Sequence, residues 1–333
     1  MKIQSNLKAQ GTWLRTVAAT TLALGTLFST QAQAQVPGRF YWKTLSDGDA
    51  VPLIVNSISG NTNPFDSSHR VTAGANFDAT VAMAGYAHTF SMFDRSAVAA
   101  VIMPMGRIEG DVTVNGRTSH QTASGFGDPM LEFNINLIGP KAQKNIPDAI
   151  RYEPGFSVDF LADLALPIGE YDSTKPLNLG QNRWYGRVGM PMIMQLGQWV
   201  PGRRTTLELL PAVWGFGANN DYLGQKMKTD KMFQLDAHLT RDFTEHLWGA
   251  IDASYYKGGQ ATINGVSGKK LDNLGVGLTL GYSINDNMNL TVGYKSTVRD
   301  SAPDDLRMDG FMVSLVFGWH PLIEGSRRLS SGK

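Results

Sequence analysis

From residue 79 to 319 the chain repeats one pattern: short runs in which apolar and polar side chains take turns, separated by turn-forming residues. In 130–138, Leu131, Phe133, Ile135 and Leu137 fall on one side. Glu132, Asn134 and Asn136 fall on the other, because successive side chains of a strand point to opposite faces. Phe233, Leu235, Ala237 and Leu239 oppose Gln234, Asp236, His238 and Thr240 in the same way. So do Leu274, Val276, Leu278, Leu280 and Tyr282 against Gly275, Gly277, Thr279 and Gly281, and the chain's last run carries Phe311, Val313, Leu315, Phe317 and Trp319 on one face. Helical spacing is weak throughout. The pattern predicts twelve strands, at 51–58, 79–90, 96–106, 129–138, 155–167, 184–197, 204–216, 232–242, 247–257, 272–283, 287–298 and 309–319. Most run about 10–13 residues, close to the roughly 9–11 with which a tilted strand crosses a bilayer.

The connections add independent information. Segments 59–78, 107–128, 168–183, 217–231, 258–271 and 299–308 are long and rich in Gly, Asn, Asp and Ser, whereas 91–95, 198–203, 243–246 and 284–286 are short. Only 139–154, with Pro140, Pro147 and Pro154, breaks the alternation. An even strand count with long loops on one side and short turns on the other describes an outer-membrane barrel, with the turns and both chain ends in the periplasm. Phe90, Trp199, Phe243, Trp248, Tyr282 and Trp319 stand at the expected periplasmic strand ends, where an interfacial aromatic girdle belongs. A soluble sandwich would also alternate, but its loops have no reason to differ in length by side. The expected fold is therefore all-β: a single closed antiparallel transmembrane barrel of about twelve strands, since a sheet edge in lipid leaves unpaired N–H and C=O groups at several kcal/mol each.

The N-terminus reads as an export signal. Lys2, Lys8 and Arg15 precede the short apolar run Val17–Phe28 and the small-x-small site Ala32-Gln33-Ala34. The expected organisation is a signal peptide at 1–34, a mature N-terminal segment at 35–50 that is a candidate lumen plug, the barrel at 51–319 and a periplasmic tail at 320–333. The chain has no cysteine, which excludes disulfides, thiolate chemistry and a lipid anchor on cysteine. Without the leader it holds 27 basic and 29 acidic residues, net −2, so no basic excess marks a nucleic-acid surface. The expected partners are the lipid bilayer, the outer-membrane assembly machinery and a small-molecule solute.

Polar residues that alternation turns inward are the candidate pore lining: Glu132, Asn134, Asn136, Asp159, Asp163, Arg187, Gln195, Asp236, His238 and Asp252. They serve equally as a hydrogen-bonded brace, because barrels of about eight strands are filled and those of 16–18 leave a channel. The small row Gly275, Gly277, Thr279 and Gly281 predicts open space beside it, and Gly38-Arg39-Phe40-Tyr41-Trp42-Lys43 is the stretch suited to fold inward. An outer-membrane hydrolase is the main alternative, with Asp236 two residues from His238 as a possible acid–base pair, and a closed structural or adhesion barrel is another. No nucleophile elbow accompanies that pair. No His spacing suits a metal, 300–309 is too irregular for a calcium loop, and no motif calls for a cofactor. The expectation is a passive channel, not an enzyme.

Gly125-Phe126-Gly127-Asp128-Pro129 ahead of an alternating strand resembles the Gly-x-Gly-Asp signature of the outer-membrane family named for the meta-cleavage pathway of phenol degradation. Leu166-Pro167-Ile168-Gly169-Glu170-Tyr171, with Leu179-Gly180-Gln181-Asn182-Arg183-Trp184, is similar to that family's second block. The resemblance runs from about residue 40 to 319. It implies a Gram-negative outer-membrane barrel for uptake of an aromatic or other hydrophobic compound. Such barrels commonly end on an aromatic residue, whereas here Trp319 is followed by a tail.

Overall fold

The computed structural model describes residues 36–114, 117–298, 302 and 304–325. The expected signal peptide and the last residues of the tail lie outside these. Twelve antiparallel staves form the barrel: β1 (Asp49–Gly60), β2 (Asn76–Met92), β3 (Arg95–Val114), β5 (Met130–Ile138), β6 (Phe156–Ala165), β7 with β8 (Tyr185–Gly189 and Met192–Gln195), β9 (Thr205–Phe216), β12 (Met232–Asp242), β13 (Leu247–Gly258), β16 (Leu271–Asn285), β17 (Met288–Thr297) and β18 (Met308–Trp319). The first and last strands pair along their whole length, from Asp49 opposite Trp319 to Gly60 opposite Met308, so the sheet has no edge. Residues 36–48 and 320–325 lie on the side of the short turns, including those at 93–94 and 286–287.

Exposure is inverted relative to a soluble protein. Leu278 is 63% exposed and Ile251 64%, while Gln234, Asp236 and Thr240 on the opposite face are fully buried. An apolar belt of this kind closed on itself has lipid as its solvent. The barrel belongs in the bacterial outer membrane.

Several local departures have physical causes. The stave expected at 184–197 breaks at Met190-Pro191, because Pro191 has no N–H for the ladder; the Pro191 carbonyl instead accepts from Asp159 N at 2.8 Å. The expected loop at 107–128 is largely sheet, as β3 continues to Val114 and pairs with β4 (Arg117–Phe126) beyond the membrane. The loops at 217–231 and 258–271 build a second sheet from β10 (Asn219–Tyr222), β11 (Gln225–Thr229), β14 (Ala261–Ile263) and β15 (Val266–Ser267). Segment 139–154 holds the helix α1 (Ile146–Arg151), which Asn145 caps by accepting from Asp148 N and which Pro147 helps to start. Two expected girdle residues turn inward. Trp248 is 8% exposed and its ring lies over Gly281, and Trp199 packs on Trp42 with centroids 4.8 Å apart. Phe243 and Tyr282 do face outward. The tail also begins by docking back: His320 Nε2 lies 2.7 Å from the Ser46 carbonyl, and Ile323 packs on Leu45.

At the long-loop end the two sequence blocks that carried the resemblance meet. Asp128 accepts from Gly169 N at 2.9 Å and from Gln181 N at 2.8 Å. A Cβ on Gly169 would stand 2.5 Å from the Gly127 carbonyl carbon, and one on Gly180 would stand 2.6 Å from that of Gly169, so the backbones stack where only glycine fits. Gly125 takes φ +134° and sits against the Glu170 carboxylate. Nearby, the buried pair Arg183–Asp66, at 3.0 Å, ties this loop to the first one. Burial pushes the Asp66 carboxyl up, but Arg183 and Arg70 outweigh it and hold the group below its ordinary value.

Placing Arg at Leu278 puts a charge in lipid and costs about 2–4 kcal/mol, whereas Lys at the loop residue Val266 changes stability by less than about 0.5 kcal/mol. Urea titration of barrels folded in lipid vesicles, followed by gel mobility, measures both. Asp128→Ala strips the acceptor from two backbone donors and costs about 2–4 kcal/mol of local stability. Limited proteolysis should cut 166–184 faster in that variant and less so in Asp128→Asn. Burial raises the Asp128 carboxyl to about 6, against the backbone bonds from Gln181 and Gly169. A raised carboxyl stabilises the folded loop when protonated, so resistance to proteolysis is greatest near pH 4 and falls as pH rises through about 6. Asp128→Asn should flatten that dependence.

Candidate functional site

The interior has two unlike walls. Strands β18, β1, β2 and β3 turn Met312, Val316, Ile54, Ile58, Val81, Met83 and Ile102 inward, all buried in one apolar cluster. Asn56 stands among them, fully buried, and neither polar atom of its amide has a partner among the described residues. Strands β5 to β13 carry the other wall, which is acidic: Glu132, Asp159, Asp163, Glu208, Asp236, Asp242 and Asp252 are each no more than 5% exposed. Each acid is placed by the same period-two rule that sends its apolar neighbours into lipid.

Charge on that wall is neutralised in a chain of contacts. Asp163 meets Arg187 at 2.6 Å, and the Arg187 guanidinium lies 5.1 Å over the Trp214 ring. Trp214 Nε1 donates to Gln234 at 2.6 Å, and Gln234 Nε2 donates to Asp236, also at 2.6 Å. Asn136 donates to Asp159 at 2.8 Å. His238 Nδ1 lies 2.6 Å from Asp252, whose other oxygen accepts from Thr279 at 2.5 Å.

Asp242 is met by Arg204 at 2.8 Å, and further counter-charges come from the N-terminal segment. Residues 36–48 run against the inward faces near the short-turn end, with Val36, Phe40, Tyr41 and Trp42 buried. Arg39 meets Asp242 at 2.6 Å and Lys43 meets Asp159 at 2.6 Å. Glu208 accepts from Arg39 N and from Trp42 Nε1, both at 2.7 Å. The Trp42 ring lies 4.2 Å from the Arg39 guanidinium and 5.2 Å from that of Arg204. Val36, Phe40, Tyr41 and Trp42 all join the apolar cluster, which also takes in Leu161, Ile193 and Leu210 from the acidic strands. A short peptide is thus held by ion pairs and by apolar packing at once. An ion pair buried this deeply is costly to break, about 3–5 kcal/mol, because the abandoned partner stays buried.

Of the ten residues that alternation turned inward, Glu132, Asn134, Asn136, Asp159, Asp163, Arg187, Asp236, His238 and Asp252 are buried in the interior. Gln195 shares their face but sits at the rim, half-exposed, bonded to the Gly197 carbonyl. Asp236 is not the acid that orients His238; Asp252, on the neighbouring strand and in register with it, is. The glycine row does not open space. A Cβ on Gly277 would meet Lys295, and one on Gly281 would meet Trp248, so the missing side chains make room for their neighbours. Glu208, Asp242, Gln234 and Lys295 belong to the same interior. Alternation had turned Gln234 inward and could have found Asp242 and Glu208, but the apolar inward Leu210, Ala212 and Trp214 that follow Glu208 hide the period. Among the described residues no group of acids and histidines could hold a metal.

Comparison with known proteins fits this architecture. A profile of the family described as "Putative MetA-pathway of phenol degradation" matches residues 60–315. No curated protein matches the sequence. Among solved structures, an outer-membrane channel from Pseudomonas putida F1 superposes with a TM-score of 0.68 at 16% identity, over 86% of this chain and 100% of that one. The KdgM porin, solved with disordered oligogalacturonate, gives 0.41 at 8% identity, over 81% and 99%. The translocator domain of the autotransporter NalP from Neisseria meningitidis gives 0.44 at 10%, over 94% and 96%. The first of these shares the fold, and with three-quarters of its length matched by one family profile, this chain belongs to the MetA-pathway of phenol degradation family of outer-membrane barrels.

Proposed function

We propose that the barrel is a passive outer-membrane channel for a small aromatic or otherwise hydrophobic solute, with residues 36–48 as a plug in its lumen. One observation carries this reading: the interior pairs an apolar wall with a largely acidic one, and a short peptide packs into its apolar cluster while its cations pair with the acids. A solute with a ring or alkyl body favours the side of Ile54, Met83 and Ile102, while Asn56 offers a hydrogen bond there. The family's description and the name of the Pseudomonas channel support the same reading.

Hydrolysis is less well supported. His238 is oriented by Asp252, as a general base would be, yet its Nε2 has no partner among the described residues, so no hydroxyl is set for attack.

The test is permeation by purified protein. Wild type in planar bilayers should conduct weakly, and liposomes holding it should admit small aromatic alcohols faster than sugars of the same size. Deleting residues 36–48 should raise conductance severalfold, and R39Q/K43Q should move it the same way by a smaller factor. A barrel that admits no small solute in either form removes the channel reading. Lipid or peptide hydrolysis that disappears in His238→Ala would replace it with an enzyme.

A further inference from the structure

We infer that the extracellular ends of β12, β13 and β16 form a docking surface for a phosphorylated lipid headgroup of the outer leaflet. Lys231, Lys257 and Lys270 are exposed there, and each shares the lipid-facing parity of its strand, in line with Phe233, Tyr255 and Asp272. Strand register brings them together. Met232 stands opposite Gly258 and Gly258 opposite Leu271, so one step outward sets Lys231 and Lys270 on either side of Gly259. Gly259 N donates to the Lys231 carbonyl at 3.1 Å, which confirms that step on one side. Lys257 pairs with Phe233, one step on from the same row, which makes it a diagonal neighbour of Lys231. Strands lie roughly 4.8 Å apart, so three ammonium groups bracket a patch about 10 Å wide.

None of the three has a salt bridge among the described residues, in contrast to Lys269, which is held by Asp304 and Asp305. Asp272, opposite Lys257 in the β13–β16 register, accepts from Tyr255 at 2.7 Å, and Asp230 directly precedes Lys231. Below the lysines the surface is apolar, with Phe233, Val276 and Ile251 exposed. Above them, Lys226 and Lys228 continue along the outward side of β11, rising about 3.4 Å per residue. Cations over an apolar strip, at the height where the hydrocarbon ends, complement an anionic headgroup over its acyl chains. The charge is local. Around β18, β2 and β3 the exposed charges are mixed, with Asp78, Asp111 and Asp309 beside Arg107. A phosphate on a lipid fits better than free phosphate, because the lysines alone are spaced along a membrane edge and make no enclosed cradle.

The test uses the whole folded barrel in nanodiscs of zwitterionic lipid, with bisphosphorylated lipid A and its enzymatically dephosphorylated form as probes. Wild type should bind the phosphorylated form at least tenfold more tightly. K231Q/K257Q/K270Q should weaken that binding on the order of 100-fold, each lysine giving about fivefold. K141Q/K144Q, at the other end of the barrel, should leave it unchanged. Equal binding of the two probes, an unaltered triple variant, or displacement by inorganic phosphate at low millimolar concentration would overturn the proposal. Heat-modifiable gel mobility reports folding of each variant. Because the lysines lie outside the lumen, the triple variant should keep wild-type conductance, which separates this test from the permeation test.

Discussion

The structure depends on hydrogen-bond closure of the sheet. In hydrocarbon no water replaces a missing backbone partner, so every N–H and C=O of the belt needs a neighbouring strand. The twelve-pair register between β1 and β18 meets that demand at the seam. Once the sheet is closed, alternation leaves no choice about the side chains: one row meets lipid, the other meets the lumen. The inversion of exposure, with Leu278 outside and Asp236 inside, is a consequence of the same constraint.

Closure creates a second problem, which the interior solves. Seven acids on one wall repel each other in a space shielded from water. Arg187 and Arg204 answer Asp163 and Asp242 from the barrel itself, and Arg39 and Lys43 add charge at Asp242 and Asp159 from a peptide that enters the barrel. The peptide's apolar side chains pack into the same interior. Electrostatics and apolar burial therefore fix the same segment, which gives the lumen a removable filling rather than a permanent one in the proposed reading.

Much of this was legible in advance, because period-two alternation is a one-dimensional record of a two-faced sheet. All twelve staves stand where the pattern set them, and nine of the ten chosen inward residues are buried inside. The misses share a cause. The sheet formed by β10, β11, β14 and β15 has polar residues on both faces, as in Asn219–Tyr222, so no hydrophobic period marks it. Pro191 was readable as a residue without a donor, but the break it makes depends on what lies opposite. His238 was given the acid on its own strand, because sequence shows i±2 neighbours and hides the cross-strand partner Asp252.

By itself the sequence determined the strands, their facing and the membrane that surrounds them, since each follows from local periodicity and loop length. It also carried the glycine blocks of 125–129 and 166–184 that mark the family. Only the tertiary structure decided which residues meet across the barrel. The two unlike walls, the pairing of Lys43 with Asp159 across more than a hundred residues, and the stacking of Gly127, Gly169 and Gly180 all arise from closure and register. Those are distances between distant parts of the chain, and no local pattern encodes them.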